Sequence, residues 1–275
     1  LAASYGMKAI ASTNHGYNLN WTEKKQYAEK KGLKFIVGCE VYLTSEIYHY
    51  PEIPDEVYES YQGWDPQEAQ EEIGKMMDVE RYKVRDNFHT ILLCKNARGV
   101  LELNKIMGTS YDADHKYYKP RITFEEFFGL SDNIIKISAC LASPLRKYTS
   151  ECDGFRQEVY DKLCETYDYY EIQYHDCDDQ KEYNQYLWEL SKKYHKPLIA
   201  ATDTHSLNAY KAECRKILMM GKGIEFTGED EFDLTFKSYN ELVDAFTVQD
   251  ALPREVWMEA SRIRIGWQIV SLISL

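Results

Sequence analysis

No stretch of this sequence approaches the ~20 consecutive apolar residues that a membrane-crossing helix requires, and no segment reads as a signal peptide. Both absences argue against a membrane partner. Positive charge is scarce, with 33 Lys and Arg against 45 Asp and Glu, a formal net charge of −12. Affinity for a phosphate backbone comes from Lys and Arg neutralising phosphates, so an acidic chain is a poor autonomous binder of nucleic acid. Cysteine is present but unorganised: seven residues, an odd number, with neither a CxxC pair nor the regular spacing of a disulfide framework. A reducing cytoplasm is the expected setting. Internal repeats and low-complexity tracts are lacking, and so is an initiator Met. Leu1-Ala2-Ala3 reads as the end of a helix already under way, which leads us to expect a fragment whose N-terminus is missing.

What remains is ordinary globular composition: 275 residues, 44% hydrophobic and 28% charged, enough for one α/β barrel or two smaller domains. Short apolar runs mark strands at Lys8–Thr13, Lys34–Leu43, Phe88–Cys94, Asn133–Ser138, Tyr169–Gln173 and Pro197–Thr202. Helical patterns fall between and after them, at Thr22–Lys31, Gly99–Tyr111, Asp153–Thr166, Asp179–His195 and Asn208–Met220. In the fourth of these Leu187, Leu190 and Tyr194 recur at helical spacing, and Pro197 follows where the helix must stop. Strands alternating with helices predict βαβ units and a largely parallel sheet, and six such units favour a barrel over an open sheet. Two segments break the rhythm. Ser45 to Asp78 is acidic and rich in Tyr, Pro and Gln without clean periodicity, and reads as a surface excursion. After Gly228 come Phe232–Phe236, a helix from Tyr239 to Phe246 and a final helical stretch, which read as a closing element or a junction to a further domain.

Ligand-type side chains collect at the predicted strands and not on the helices. Asn14 and His15 follow the first strand, Glu40 lies within the second, His89 opens the third, Cys140 follows the fourth, and Asp203 and His205 close the sixth. Residues i and i+2 of an extended chain point the same way, so Asp203 and His205 are expected to grip one ion together. Imidazole, carboxylate and thiolate together suit divalent Zn, Mn or Fe, and more than four ligands would allow a two- or three-metal cluster for hydrolysis at phosphorus. Each residue also has a structural reading. Cys39 and Cys94 fit as small core residues, and Cys140 is either that or a ligand. Glu40 would be costly if buried without a partner. Glu171, within the fifth strand, and His175 are expected to make no direct metal contact, and His49, His115 and His195 to lie on the surface.

Several of these stretches resemble the PHP (polymerase and histidinol phosphatase) domain. They are Met7 to Gly16, Gly38-Cys39-Glu40-Val41-Tyr42, Phe88 to Asn96, Tyr117-Tyr118-Lys119-Pro120-Arg121-Ile122, Ser138-Ala139-Cys140-Leu141-Ala142 and Ala201-Thr202-Asp203-Thr204-His205. Their order and spacing are similar to the version found at the N-terminus of bacterial replicative DNA polymerase III alpha subunits, and Phe236 to Leu242 resembles the segment that follows it there. The likeness covers roughly residues 1 to 260. It implies a distorted (β/α)7 barrel over 1–225, lacking its first strand and the start of its first helix, with 226–275 leading toward the polymerase domains. It also implies a metal cluster held by His15, Glu40, His89, Cys140, Asp203 and His205. The implied activity is a metal-dependent phosphoesterase or 3′–5′ exonuclease acting on DNA, with His15, Glu40, His89, Asp203 and His205 as its catalytic residues. The implied partners are the remaining domains of a DNA polymerase (nucleotidyltransferase) and replisome subunits in the cytoplasm.

The chain departs from the family in lacking the opening His-x-His pair and in carrying Asn14 where Asp is usual. An amide oxygen can coordinate a metal but brings no negative charge. The apolar stretch Ile265 to Val270 matches nothing in the family. Two further readings follow: a stand-alone phosphatase of the histidinol phosphate kind, and a scaffold without catalysis, which Asn14 favours. The Tyr117–Ile122 element and the segment after Gly228 favour the polymerase.

Overall fold

The structure is a computed structural model that describes residues 1–49, 59–76, 82–152, 154–223, 232–264 and 268–270. It is a mixed α/β fold organised around one long strand. Strand β1 (Ala9–Ser12) leads through helix α1 (Trp21–Lys30) to β2 (Lys34–Thr44), which at eleven residues is twice a usual strand. One edge of β2 takes three partners in succession. Its start pairs in parallel with β1, its middle with residues 14–16, and its end in parallel with β6 (Arg121–Thr123). The other edge pairs with β5 (Phe88–Cys94), which pairs in turn with β7 (Ile134–Ile137). A single parallel bridge, Ile137 to Tyr169, leads from β7 toward a second sheet of β8 (Tyr170–Gln173) and β9 (Leu198–Ala201). A short strand at Gln268–Val270 lies on the outer edge of β1.

Alternation along the strands produces two apolar layers. On β2, Val37, Cys39, Val41 and Leu43 join the larger core with Phe88, Leu92 and the helices, whereas Ile36 points the other way. That second, smaller cluster draws Ala9 and Ala11 from β1, Ile91 and Leu93 from β5, Ile135 and Ile137 from β7, and Ile199 from β9. Strands from both sheets meet in one small cluster, so the surface they form is strongly curved. No hydrogen-bonded pairing joins β9 to β1 among the described residues, and no closed barrel is found there.

The six expected strands and five expected helices are all present, with boundaries within a few residues. The sheets are largely parallel, as expected, with one strand reversed: β5 runs antiparallel to both β2 and β7. The reason is topological. The chain between β2 and β5 contains a hairpin of β3 (Tyr48–His49) against β4 (Tyr82–Lys83) and a helix over Pro66–Met76, instead of one crossover helix. The surface excursion from Ser45 to Asp78 is therefore partly structured, its helix anchored by buried Ala69 and Ile73 four residues apart. Residues 50–58 and 77–78 of that segment, and the boundary near Gly228, lie outside the described residues.

At the C-terminal side, helices Tyr239–Gln249 and Arg254–Arg264 close over β8 and β9, with Phe246 and Trp257 stacked at 5.7 Å. Gln249 Nε2 donates to the carbonyls of Gln173 (2.9 Å) and His175 (2.7 Å), and Asn184 Nδ2 donates to Gln173 O at 2.7 Å. These bonds hold the end of β8 in place.

The helix Ala97–Ser110 carries a paired test of this packing. A methyl added at Gly99 would sit 2.4 Å from the Asn133 carbonyl, which already accepts a bond from the Lys95 N–H, while one added at Gly108 meets nothing within 4 Å. Gly108→Ala is expected to stabilise by about 0.5–1 kcal/mol, and Gly99→Ala to destabilise by about 1–3 kcal/mol. Thermal melting should move in opposite directions for the two; shifts of the same sign would contradict the packing.

Candidate metal centre

The antiparallel course of β5 explains how the candidate residues meet. The C-terminal end of β1 and the start of β5 both lie toward the C-terminal end of β2, on opposite edges of it, because β1 runs with β2 and β5 against it. His89, the second residue of β5, therefore pairs with Tyr42, and Ile91 with Glu40. On the other side of β2, the Glu40 N–H donates to Asn14 O (3.0 Å) and the Gly16 N–H to Glu40 O (2.7 Å), locking His15 beside Glu40. The even-numbered face of β2 thus carries Glu40 onto the rim above the smaller apolar cluster, which lies beneath it.

His15 Nδ1 is bonded to Glu40 Oε1, and His89 Nδ1 lies 2.9 Å from the same oxygen. His15 Nε2 meets His205 Nε2 at 3.0 Å, and Cys140 Sγ lies 3.6 Å from His89 Nδ1. His205 Nδ1 is 2.7 Å from the Asp203 carbonyl and 3.6 Å from its carboxylate. His15, Glu40 and His89 each offer a donor atom within 4.8 Å of the other two.

The hydrogen-bond directions can be assigned along this chain. His205 donates Nδ1–H to Asp203 O, which leaves its Nε2 as an acceptor. His15 then donates from both nitrogens, to His205 and to Glu40, and is an imidazolium. Charge agrees. Burial alone would lower the His15 pKa, but the Glu40 and Asp203 carboxylates outweigh it and raise it above 6.5. Burial pushes the Glu40 carboxyl up, and His89 and His15 together more than reverse that, holding it well below the usual carboxylate range. Cys140 is pushed far up by burial, then by Asp203 and Glu40, so without a metal it is a thiol.

Six of the expected ligands are thus linked contact by contact. Asn14 is buried directly beside them, with its carbonyl in the Glu40 backbone bond. The i, i+2 argument for Asp203 and His205 is corrected: β9 ends at Ala201, and Asp203 adopts a left-handed φ of 42°, so the two meet across a bend instead of along a strand. Ala139, beside Cys140, is also left-handed at φ 62°. Non-glycine residues hold that conformation only where surrounding structure enforces it. Glu171 and His175 are both deeply buried yet stand outside the triad; Glu171 Oε1 accepts from Gln173 Nε2 at 2.8 Å, and the His175 ring stacks on Phe232 at 4.3 Å. His195 is exposed, as expected. His49 and His115 are not free surface residues; both are half-buried beside carboxylates, Glu46 at 2.6 Å and Glu126 at 3.0 Å. Sequence reasoning assigned no site role to Tyr42, whose ring meets His89 edge-on at 5.2 Å, or to Lys119, which lies over Tyr42. The position of Tyr42 opposite His89 becomes visible only once β5 is known to run backwards.

In the metal-free protein, the paired charges contribute their full stability between the ordinary Glu value near 4.5 and the ordinary His value near 6.5. That contribution is lost as pH falls through the lowered Glu40 pKa and as it rises through the His15 pKa. Histidine NMR titration in chelator should show His15 above 6.5 in the native chain. Glu40→Gln should bring it below 6.5, since burial then dominates. An unchanged His15 titration would contradict the assigned network.

Residues 1–175 match the PHP domain family. The chain is 27% identical over 257 residues to the DNA polymerase III subunit alpha of Borreliella burgdorferi, covering 89% of this chain and 20% of that protein. It is 28% identical over 285 residues to the Aquifex aeolicus protein of the same name, covering all of this chain and 21% of the relative. A PolC-type DNA polymerase III from Clostridium perfringens is 28% identical over 173 residues, 58% of this chain and 12% of that one. The chain thus spans about a fifth of the length of the first two relatives. Among solved structures, a candidate metal-dependent phosphoesterase from Bifidobacterium adolescentis aligns over 74% of this chain and 79% of its own, at 12% identity and a TM-score of 0.36, too loose a superposition to bear on fold or chemistry. With well over half its length matched by the family, the chain belongs to the PHP domain family.

Proposed function

We propose that this chain is the PHP domain of a DNA polymerase III alpha subunit and that its rim is a metal-dependent phosphoesterase site of the 3′–5′ exonuclease type. The observation that carries the reading is the convergence of His15 and His89 on one buried carboxylate oxygen of Glu40, with Cys140 and His205 in contact behind them. Nitrogen, oxygen and thiolate donors in this density fit a borderline divalent ion such as Zn, Mn or Fe. The protons now shared among His15, His205 and Glu40 occupy the places where cations would otherwise neutralise the carboxylate. His15, Glu40, His89, Cys140, Asp203 and His205 would hold the metal, with the Asn14 amide beside them. Ions bound there supply Lewis-acid polarisation of a phosphate oxygen and activation of water. Their charge also offsets an acidic surface that would otherwise repel DNA.

The role of the protein side chains follows from their present contacts. Glu40 anchors the cluster because its backbone is fixed on both edges of β2. Asp203, through its backbone carbonyl, sets the His205 tautomer and so decides which nitrogen faces the centre. The curvature that brings β1, β2, β5, β7 and β9 to one cluster supports a distorted (β/α)7 barrel over residues 1–225, with 226–275 as the junction toward polymerase domains. DNA, those domains and replisome subunits are the partners this reading assigns, in the cytoplasm. Among the described residues no helix is long and apolar enough to cross a membrane. A second reading, a scaffold without catalysis, is favoured by one feature: position 14 supplies a neutral amide where the family usually has a carboxylate.

Elemental analysis after loading with Mn or Zn separates the two. Two or more ions per chain with release of mononucleotides from the 3′ end of single-stranded DNA is the expected result; no retained metal supports the scaffold. Asn14→Asp should raise occupancy, and Glu40→Gln should weaken binding at least tenfold. Because His15 and Cys140 must both lose protons to bind, affinity should rise with pH; an affinity that falls with rising pH would contradict the donor set.

A further inference from the structure

One motif is not absorbed by the metal centre. Tyr117-Tyr118-Lys119 forms a tight turn in which the Lys119 N–H donates to Tyr117 O at 2.6 Å and the Tyr117 N–H to Lys119 O at 3.1 Å. Tyr118, at its tip, is 86% exposed and held left-handed at φ 55°. An exposed aromatic gains little from burial there, and the conformation costs a non-glycine residue stability. The structure nevertheless supports the turn from beneath. Tyr118 packs edge-on against Tyr117 at 4.8 Å, and Tyr117 rests on the guanidinium of Arg121. Arg121 is wholly buried, donating to the carbonyls of Val84 (2.6 Å), Asp86 (3.0 Å) and His115 (2.9 Å).

The turn is also fastened to the metal rim. Lys119 Nζ lies 5.4 Å from the centre of the Tyr42 ring, which meets His89 edge-on at 5.2 Å. Pro120 and Tyr42 pack so closely on Gly16 that an added Cβ would sit 2.9 and 3.0 Å from them. Gly16 follows His15 directly, so the turn and the ligand loop cannot move independently. On its far side Tyr117 lines a cleft of about 530 Å³ with Tyr82, Lys83, Arg85 and Asp86. Lys119 and the exposed Tyr118 ring thus stand beside the rim, and Lys83, whose ammonium also donates to the Ala113 carbonyl at 2.8 Å, and Arg85 line the adjoining cleft with Asp86, on a chain whose net charge is −12.

We propose that this turn holds the substrate strand: Tyr118 stacks on a base of single-stranded DNA, and Lys119 pairs with the backbone phosphate nearest the metal centre. The strand then continues past Tyr117 toward Lys83 and Arg85. Stacking on an aromatic face tolerates any base, which suits a strand read without sequence preference. This rests on the phosphoesterase reading and narrows it: the site takes a polynucleotide end, engaged over more than one nucleotide, in preference to a small phosphomonoester.

Fluorescence anisotropy with a short labelled oligothymidylate, on the full 275-residue chain at low salt, tests it with and without Mn. Tyr118→Ala should weaken binding about tenfold, within the range measured for loss of one stacked base. Lys119→Met should weaken it and lower the salt slope by about one. Tyr118→Gly relieves the left-handed strain, so it should melt no lower than the native chain and still lose affinity, which separates contact from folding. Native affinity retained in Tyr118→Ala and Lys119→Met, or no binding by the native chain, overturns the proposal. Hydrolysis of the same oligonucleotide by the native chain is scored separately. Its absence alongside Tyr118-dependent binding removes the phosphoesterase reading and leaves the strand contact standing.

Discussion

A carboxylate buried to 2% exposure is the constraint around which this fold is arranged. Leaving Glu40 charged and alone in that position would cost several kcal/mol, and leaving it protonated would waste the two imidazoles that face it. The protein resolves the problem by bringing His15 and His89 to the same oxygen from opposite edges of β2. Everything that fixes those two rings serves that neutralisation: the bonds from Asn14 and Gly16 to the Glu40 backbone, the register of β5, and the His205–Asp203 relay behind His15.

The length and partners of β2 follow from this role. A shorter strand could pair with β1 or with β6, but not with both while leaving a gap at its middle for the His15 loop. Reversing β5 then brings His89, near its start, and not its last residue, to the rim. An all-parallel arrangement would send His89 to the far end of the sheet. The same arrangement sets Tyr42 between His89 and the cation Lys119, so the strand that places the carboxylate also anchors the Tyr117–Lys119 turn beside the rim.

Much of this was readable in the sequence because the signals were local. The runs Ala9–Ser12, Phe88–Cys94 and Leu198–Ala201 are apolar and bounded by turn residues, and each became a strand. The candidate ligands were legible because imidazoles and acids at strand ends have few structural reasons to be there. What could not be read depends on long-range pairing. Nothing in Phe88–Cys94 itself states its direction, and the two-residue strands Tyr48–His49 and Tyr82–Lys83, which help decide it, are too short to leave a pattern. The Pro66–Met76 helix buries only a narrow apolar face, hidden among charges. Asp203 was misread for a related reason: its left-handed φ is imposed by the loop around it, and Asp tolerates that conformation without announcing it.

The central claim is that the protons now binding Glu40 to two histidines hold the place of a metal ion. Anomalous X-ray scattering from crystals of the native chain grown with Mn or Zn tests it most directly. The account predicts a peak at bonding distance, about 2.0–2.3 Å, from donor atoms of His15, Glu40 and His89. A metal-loaded crystal with no peak among these three residues, or with its peak elsewhere in the molecule, would contradict it.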